Sequence, residues 1–164
     1  MFKIIILSFF ILTSCATKPK IIQTPIIKGT IAVLNFKNNS PNKNWNYMES
    51  AVAEIFTSNL ADNSDFKVVE REKLNKILEE QKLNQSGIVD EATAVRIGKI
   101  LGATEIVLGS ITQLGKTIVI SSRVIKIETG EIYSGETVNG EKEEELPEMV
   151  KNLSDKISDK LNNK

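Results

Sequence analysis

The residue types that most often carry enzyme chemistry are nearly missing from this chain. It contains no histidine, which excludes Ser-His triads, His-ligated metals and proton transfer through imidazole. Its only cysteine is Cys15, so the chain has no internal disulfide and no cysteine-based zinc site. Basic and acidic residues number 21 each, and this balance gives no long-range field to attract nucleic acid. These counts predict a protein that is not an enzyme, needs no cofactor and binds no nucleic acid.

Cys15 is surrounded by the sequence features of a lipid attachment site. Lys3 precedes an apolar run at residues 4–12 that is too short to span a bilayer comfortably. Small residues follow the run, as in an exported signal peptide. Residues 12–15, Leu-Thr-Ser-Cys, resemble the bacterial lipobox, which implies cleavage before Cys15 and acylation of that cysteine. An ordinary signal peptide and a short uncleaved anchor are the alternatives.

The lipobox divides the chain into three parts. We expect a signal peptide at 1–14, a lipidated cysteine with a flexible tether at 15–28, and one globular domain at 29–164. The tether carries three lysines and two prolines, a composition typical of a spacer. Its paired isoleucines leave an edge strand at residues 21–22 or 26–27 as the alternative. Ala16 resembles the sorting signal for the outer membrane, although the inner membrane stays open.

Two further stretches have a partial likeness to functional motifs. Gly115-Lys116-Thr117 ends like a phosphate-binding loop, but Ser110 stands where that motif needs glycine. β-Branched residues follow it instead of a helix, so we interpret it as a hairpin turn. The acidic run at 143–145 and the pair at 79–80 are interpreted as solvated charge. Trp45 and Tyr47 are interpreted as core or core rim, with a partner anchor as the alternative.

The remaining residues predict the elements of an α/β (α+β-like) domain. Apolar runs at 30–36, 66–69, 105–112, 117–127 and 132–138 predict strands. Apolar residues at helical spacing predict helices from Trp45 to about residue 61, around Leu74, Ile77 and Leu78, around Ala94, Ile97 and Leu101, and from 146 to 161. The order β-α-β-α-α-β-β-β-α predicts a mixed sheet of about five strands with helices packed on it.

Single residues refine these predictions. Asp90 is placed to cap the third helix, and Gly102 to end it. Gly98 and Gly109 interrupt a helix and a strand, which predicts close approach of a neighbouring group at each.

Several of these segments together resemble the CsgG family of curli-secretion lipoproteins. They are the strand at 31–36, the segment 68–81 with Val68-Val69-Glu70-Arg71-Glu72-Lys73-Leu74, Ile77-Leu78 and Glu80-Gln81, then Ser86-Gly87, Leu101-Gly102-Ala103-Thr104-Glu105-Ile106-Val107-Leu108-Gly109-Ser110 and the hairpin at 123–132. The resemblance covers about residues 29–140. It implies a periplasmic domain held to the outer membrane by its lipid.

The chain departs from the curli channel of that family at one place. The channel carries long membrane-spanning hairpins beside these strands, and a membrane strand needs about 9–11 residues. Only a few residues separate the strands ending near Thr112 and starting near Thr117, so we do not expect a pore formed by this chain alone. Its short build is closer to the lipoprotein activators of penicillin-binding proteins.

The resemblance therefore implies an envelope assembly, transport or adaptor component that acts through protein–protein contacts. The alternative is a regulator of cell-wall synthesis. Partners would be the membrane, through the lipid on Cys15, and an envelope protein; a homo-oligomer is also open. The helix at 45–60 and the exposed face of residues 70–81 are the two surfaces considered for a partner, with plain packing or solvation as the alternative for both.

Overall fold

The computed structural model describes residues 27–83 and 89–163. The elements within these ranges are β1 (Gly29–Asn38), α1 (Met48–Asn63), β2 (Phe66–Val68), α2 (Arg71–Glu80), α3 (Glu91–Leu101), β3 (Glu105–Leu114), β4 (Thr117–Lys126), β5 (Ile132–Gly140) and α4 (Leu146–Asn162). A 3-10 helix at Lys43–Tyr47 precedes α1, and another at Glu143–Glu145 precedes α4.

The five strands form one mixed sheet in the order β2-β1-β3-β4-β5. β1 is parallel to both of its neighbours, whereas β3, β4 and β5 are antiparallel. The crossovers from β1 to β2 and from β2 to β3 run in opposite directions across the sheet. Because such crossovers are right-handed, they place α1 on one face and α2 with α3 on the other. The predicted fold class and element order are confirmed.

The core is divided by the sheet into two layers. On the first face, α1 and α4 pack on Ile31, Val33 and residues of β3 to β5. On the second face, α2 and α3 pack on Ala32, Leu34 and residues of β3 and β4. β1 thus contributes side chains to both layers, which explains its nearly continuous apolar sequence.

The predicted caps and close approaches are also present. The Asp90 carboxylate accepts a hydrogen bond from the Thr93 amide at 2.8 Å, and Gly102 ends α3 with a φ of 68°. A Cβ built on Gly98 would lie 2.3 Å from Cδ1 of Ile127, and one on Gly109 would lie 2.2 Å from the Phe36 ring.

Some details of the sequence prediction were wrong. The α-helix begins at Met48 instead of Trp45, because residues 43–47 form the 3-10 helix. Ile77, expected on the buried face of its helix, is only partly buried, and β4 ends one residue early, at Lys126. Ile27 is exposed and precedes the first strand. The predicted signal peptide, Cys15 and the tether up to residue 26 lie outside the described residues, as do Ser86 and Gly87. Within the described ranges, none of the helices combines the length and apolar character needed to cross a bilayer.

Candidate functional site: the open half of the sheet

Among the described residues, no helix lies over about half of the second sheet face. α2 and α3 lie over β1 and the first half of β3. Beyond them, Lys37, Ser110, Ser121 and Thr137 stand in register across β1, β3, β4 and β5. Partners in register share a face of the sheet, and these four side chains are exposed or half-buried. We call this row, together with the exposed Arg123 one row away, the open face.

A groove of about 440 Å³ runs along the edge of the open face. Its apolar wall is formed by Leu34, Leu78, Leu83, Val89 and Leu108. Its polar side is formed by Asn35, Lys37, Asn39, Glu49, Asp90, Ser110, Ser121 and Arg123. The carboxyl-terminal halves of β1 and β3 make its floor. Open sheets with parallel strands commonly bind their ligands at the carboxyl ends of strands whose connections diverge.

A bulge in β1 shapes this groove. Val33 pairs with Val107 and Phe36 with Gly109, so three steps along β1 match two along β3. The extra residue disturbs the ladder, and Arg71 at the start of α2 compensates. Its Nη1 donates to the Val33 carbonyl at 2.7 Å, and its Nη2 donates to the Asn35 side chain. Burial lowers the pKa of Arg71, and nearby Glu54 raises it; the guanidinium stays charged.

The loop between β1 and α1 closes one end of the groove and is fixed by its own side chains. The Asn38 amide group donates to the Asn42 carbonyl at 3.0 Å and to Oδ1 of Asn46 at 2.8 Å. Its own oxygen accepts from Ser40 N at 2.9 Å and Ser40 Oγ at 2.6 Å. The Asn38 backbone N–H donates to Glu49 Oε1 at 2.9 Å. Because these groups hydrogen-bond to one another, the loop holds its conformation without a ligand, and this end of the groove is preformed.

The groups on the open face are suited to binding. Ser121 Oγ and Thr137 Oγ1 lie 3.1 Å apart, and hydroxyls can both donate and accept hydrogen bonds. Arg123 forms an ion pair of 3.3 Å with Glu91. Because exposed ion pairs contribute little free energy, Arg123 can leave Glu91 for a carboxylate of a bound segment at little cost. Within residues 27–83 and 89–163, no group of three His, Cys, Asp or Glu side chains is placed to hold a metal ion. The face can therefore pair with carbonyls and carboxylates of an extended segment.

The structure separates the side chains singled out from the sequence. Trp45 is 4% exposed and donates through Nε1 to Glu143 Oε1 at 2.8 Å, so its interpretation as core rim is confirmed. Tyr47 is 62% exposed, so its interpretation as core or core rim was wrong. Residues 143–145 are exposed, as expected of solvated charge. Gly115 and Lys116 form the turn between β3 and β4, with a φ of 64° at Gly115.

Sequence reasoning did not find the groove. A weak signal for it exists in β4, where the buried Ile118, Ile120 and Val124 alternate with the less buried Val119, Ser121 and Arg123. Alternation of this kind shows that one side of a strand is solvated. It does not show which neighbouring elements leave that side uncovered.

Comparison with known proteins supports the same fold and family. The model of the family of the curli production assembly/transport component CsgG matches residues 16–122. No curated protein sequence matches the chain.

Three solved structures show how far the fold extends. The LpoB C-terminal domain from Salmonella enterica has a TM-score of 0.60 at 18% identity, over 70% of this chain and 83% of that domain. The same domain from Escherichia coli has a TM-score of 0.58 at 18% identity, with the same coverage. Lipoprotein GNA1162 from Neisseria meningitidis has a TM-score of 0.52 at 14% identity, over 79% of this chain and 98% of that one. At these identities the likeness shows a shared fold. Because the family model covers more than half of the chain, the protein belongs to the CsgG family.

Proposed function

We propose that this protein is a lipid-anchored adaptor on the periplasmic side of the outer membrane. In this proposal it serves an envelope assembly or transport system through protein contacts and is not an enzyme. The observation that carries the proposal is the open face with its preformed groove, on a sheet whose other surfaces are covered by helices. Membership of the CsgG family supports the assembly or transport context.

The place where the predicted tether joins β1 supports a membrane-anchored domain. Residues 27–28 lead into β1 at the end where Lys28 N donates to the Asp65 carbonyl at 2.9 Å. The groove lies toward the opposite, carboxyl end of β1. Twelve residue steps separate Cys15 from Ile27, and they can span at most about 40 Å. A lipid on Cys15 would thus hold the domain near the membrane with the groove directed away from the anchored end.

The short connection from β3 to β4 favours a function as an adaptor rather than as a pore formed by this chain alone. Two residues, Gly115 and Lys116, join these strands, whereas a membrane-spanning strand needs about 9–11 residues.

The anchor is tested by replacing the lipid-accepting residue. We expect Cys15→Ser to move the protein from the membrane fraction to the soluble periplasmic fraction, because a single tether holds it. Lys18→Ser is the matched control, since it changes the tether without touching the lipidation site. Retention of Cys15→Ser in the membrane fraction would refute the anchor.

Light scattering on the full chain in detergent separates an adaptor from a transport ring. A protein mass of one chain, which is 18.2 kDa before removal of the predicted signal peptide, is expected for an adaptor. A stable assembly of many subunits at all concentrations would favour a ring docked on a separate channel. Turnover of a peptide or glycan substrate by the pure chain would contradict the non-enzymatic part of the proposal.

A regulator of cell-wall synthesis is the second candidate. The short build noted from the sequence, in which β3 and β4 meet in a two-residue turn, favours it. Addition of the chain to a penicillin-binding protein should then raise the rate of glycan polymerisation. An unchanged rate would leave the assembly or transport adaptor as the proposal.

A further inference from the structure

The two edges of the sheet differ in a way that points to a second contact surface. β2, at one edge, has three residues, so this edge exposes few unpaired backbone groups. β5, at the other edge, has nine residues, and among the described strands it pairs with β4 alone. A long unpaired edge presents a row of free backbone donors and acceptors.

The backbone groups that face outward from β5 can be identified. Lys126 N donates to the Glu131 carbonyl at 2.9 Å, so Lys126 directs its backbone groups toward the β5 side. Alternate residues of a strand face the same neighbour, and Val124, Ser122 and Ile120 therefore face β5 as well. Their partners in register are Ser134, Glu136 and Val138. The residues between them, Gly135, Thr137 and Asn139, must direct their N–H and C=O groups outward.

A lysine contact agrees with this assignment. Lys160 Nζ, from α4, donates to the Gly135 carbonyl at 3.4 Å, which is feasible only if that carbonyl points away from β4. Apart from the contact at Gly135, the described residues supply no partner for the outward backbone groups of Thr137 and Asn139. Among the described residues, Lys160 therefore covers the Gly135 carbonyl, and the outward backbone groups of Thr137 and Asn139 are unpaired.

The charges beside this edge favour an acidic strand. Glu136 forms ion pairs with Lys160 and, at 3.9 Å, with Lys156. These interactions lower the pKa of Glu136, the hydrogen bond from Lys160 being the largest cause. Two lysines share one carboxylate, so the flank of α4 next to Gly135 and Glu136 carries an excess positive charge, whereas Glu145 lies beside Gly140 at the far end of β5.

The same charges disfavour pairing of β5 with a second copy of this chain. A two-fold axis perpendicular to the sheet would join two β5 strands in antiparallel fashion and keep both α4 helices on one face. Lys156 and Lys160 of each copy would then face their equivalents across the junction. Like charges placed opposite one another oppose this pairing.

We propose that the outer edge of β5 accepts an extended, acidic segment of a partner protein as a sixth strand. A carboxylate of that segment binds Lys160, which leaves the Gly135 carbonyl free to pair. Backbone pairing supplies affinity and the alternate side chains supply selectivity, as in other strand-addition complexes. This inference rests on the proposed function, because it names the chemistry of one partner of the adaptor.

Residue-resolved amide hydrogen exchange on the full chain in detergent micelles tests the proposal. The probe is a capped synthetic peptide of about eight residues that alternates valine and glutamate; the control peptide has lysine at each glutamate position. At saturation we expect exchange at Thr137 and Asn139 to slow by about tenfold or more, while Glu136 and Val138, already bonded to β4, change little. Unchanged exchange at Thr137 and Asn139, or equal slowing by both peptides, would overturn the proposal.

Two pairs of variants locate the effect. Thr137→Pro removes an outward N–H and leaves the β4 ladder intact, whereas Thr137→Val keeps that donor. We expect the proline variant alone to weaken peptide binding, by about tenfold for one lost hydrogen bond. Lys160→Glu should also weaken binding of the acidic peptide, and Lys151→Glu, on the same helix, should not. Equal affinities within either pair would count against the edge as the binding site.

Failure of the inference about the β5 edge can be distinguished from failure of the proposed adaptor function. Concentration-dependent dimerisation that Thr137→Pro abolishes would show that a second copy occupies the edge, which overturns the inferred occupant. Loss of membrane anchoring in Cys15→Ser concerns the adaptor proposal and does not depend on the β5 edge.

Discussion

Gly109 and Phe36 meet where β1 passes β3 next to its bulge. A Cβ on Gly109 would lie 2.2 Å from two ring carbons of Phe36. Phe36 is fully buried and packs on Phe56 with ring centroids 5.5 Å apart. Because Phe36 is fully buried, its ring would have to shift within the core to make room for a Cβ at Gly109.

We predict that Gly109→Ala lowers the free energy of unfolding by about 1–3 kcal/mol, the usual cost of overpacking a core. Gly98→Ala is the matched comparison. Its Cβ would meet the tip of Ile127, which can rotate, and alanine gains about 1 kcal/mol of helix propensity over glycine. Urea unfolding followed by the fluorescence of Trp45, the sole tryptophan, measures both. Equal losses in the two variants would contradict this difference between ring and side-chain tip.

Asp90 gives the chain a pH-dependent helix cap. The hydrogen bond from the Thr93 backbone is the largest cause that lowers the pKa of Asp90; the Thr93 side chain and Arg96 also lower it, against desolvation. A folded-state pKa below the unfolded value of about 3.9 adds stability above that value, and this stability is lost as the pH falls through the folded pKa.

Asp90→Asn keeps a capping oxygen but removes the titration. At pH 7 the wild type should unfold at a higher urea midpoint than the variant. This difference in midpoint should shrink as the pH falls below about 4. A difference that stays constant over this range would show that the cap does not depend on charge.

At the scale of single elements, the bulge in β1 depends on α2. Arg71 reaches from the first residue of α2 to the Val33 carbonyl and the Asn35 side chain. One planar guanidinium reaches both acceptors from two nitrogens, and the single ammonium nitrogen of lysine lacks this fork. The element that borders the groove on one side therefore also fixes its floor.

We predict that Arg71→Lys lowers the free energy of unfolding by about 1–2 kcal/mol, since a charge-assisted hydrogen bond to a partly buried carbonyl is lost. Lys76→Arg, on the exposed side of the same helix, should stay within about 0.5 kcal/mol of wild type. Urea unfolding measures both variants. If Arg71→Lys had the free energy of unfolding of the wild type, the bulge would not depend on the contact with Arg71.

The same scale shows which elements could be predicted. α3 followed directly from the spacing of Ala94, Ile97 and Leu101, with Asp90 and Gly102 at its ends, because caps and periodicity are local. The start of α1 was misplaced because Asn38 and Asn42 organise the preceding loop through side-chain bonds that no period reveals. The groove was missed since it depends on how far α2 and α3 extend over the sheet, which is a property of the tertiary arrangement.

At the scale of the whole molecule, the sheet has two distinct ends. The predicted tether joins β1 at the end near Asp65 and the last turn of α4, which Lys28 contacts. The groove lies toward the other end and opens on the second face. In the proposed function this polarity presents the open face to a partner while the lipid on Cys15 holds the opposite end at the membrane.

Photocrosslinking in cells tests the central claim most directly. A photoreactive amino acid replaces Ser121 on the open face, and in separate variants Ser58 on α1 or Lys76 on α2, all with Cys15 intact. The last two report on the helical surfaces considered from the sequence. We predict a discrete protein adduct from position 121 and none from positions 58 and 76. Adducts from either helix with none from position 121 would contradict a partner bound at the open face.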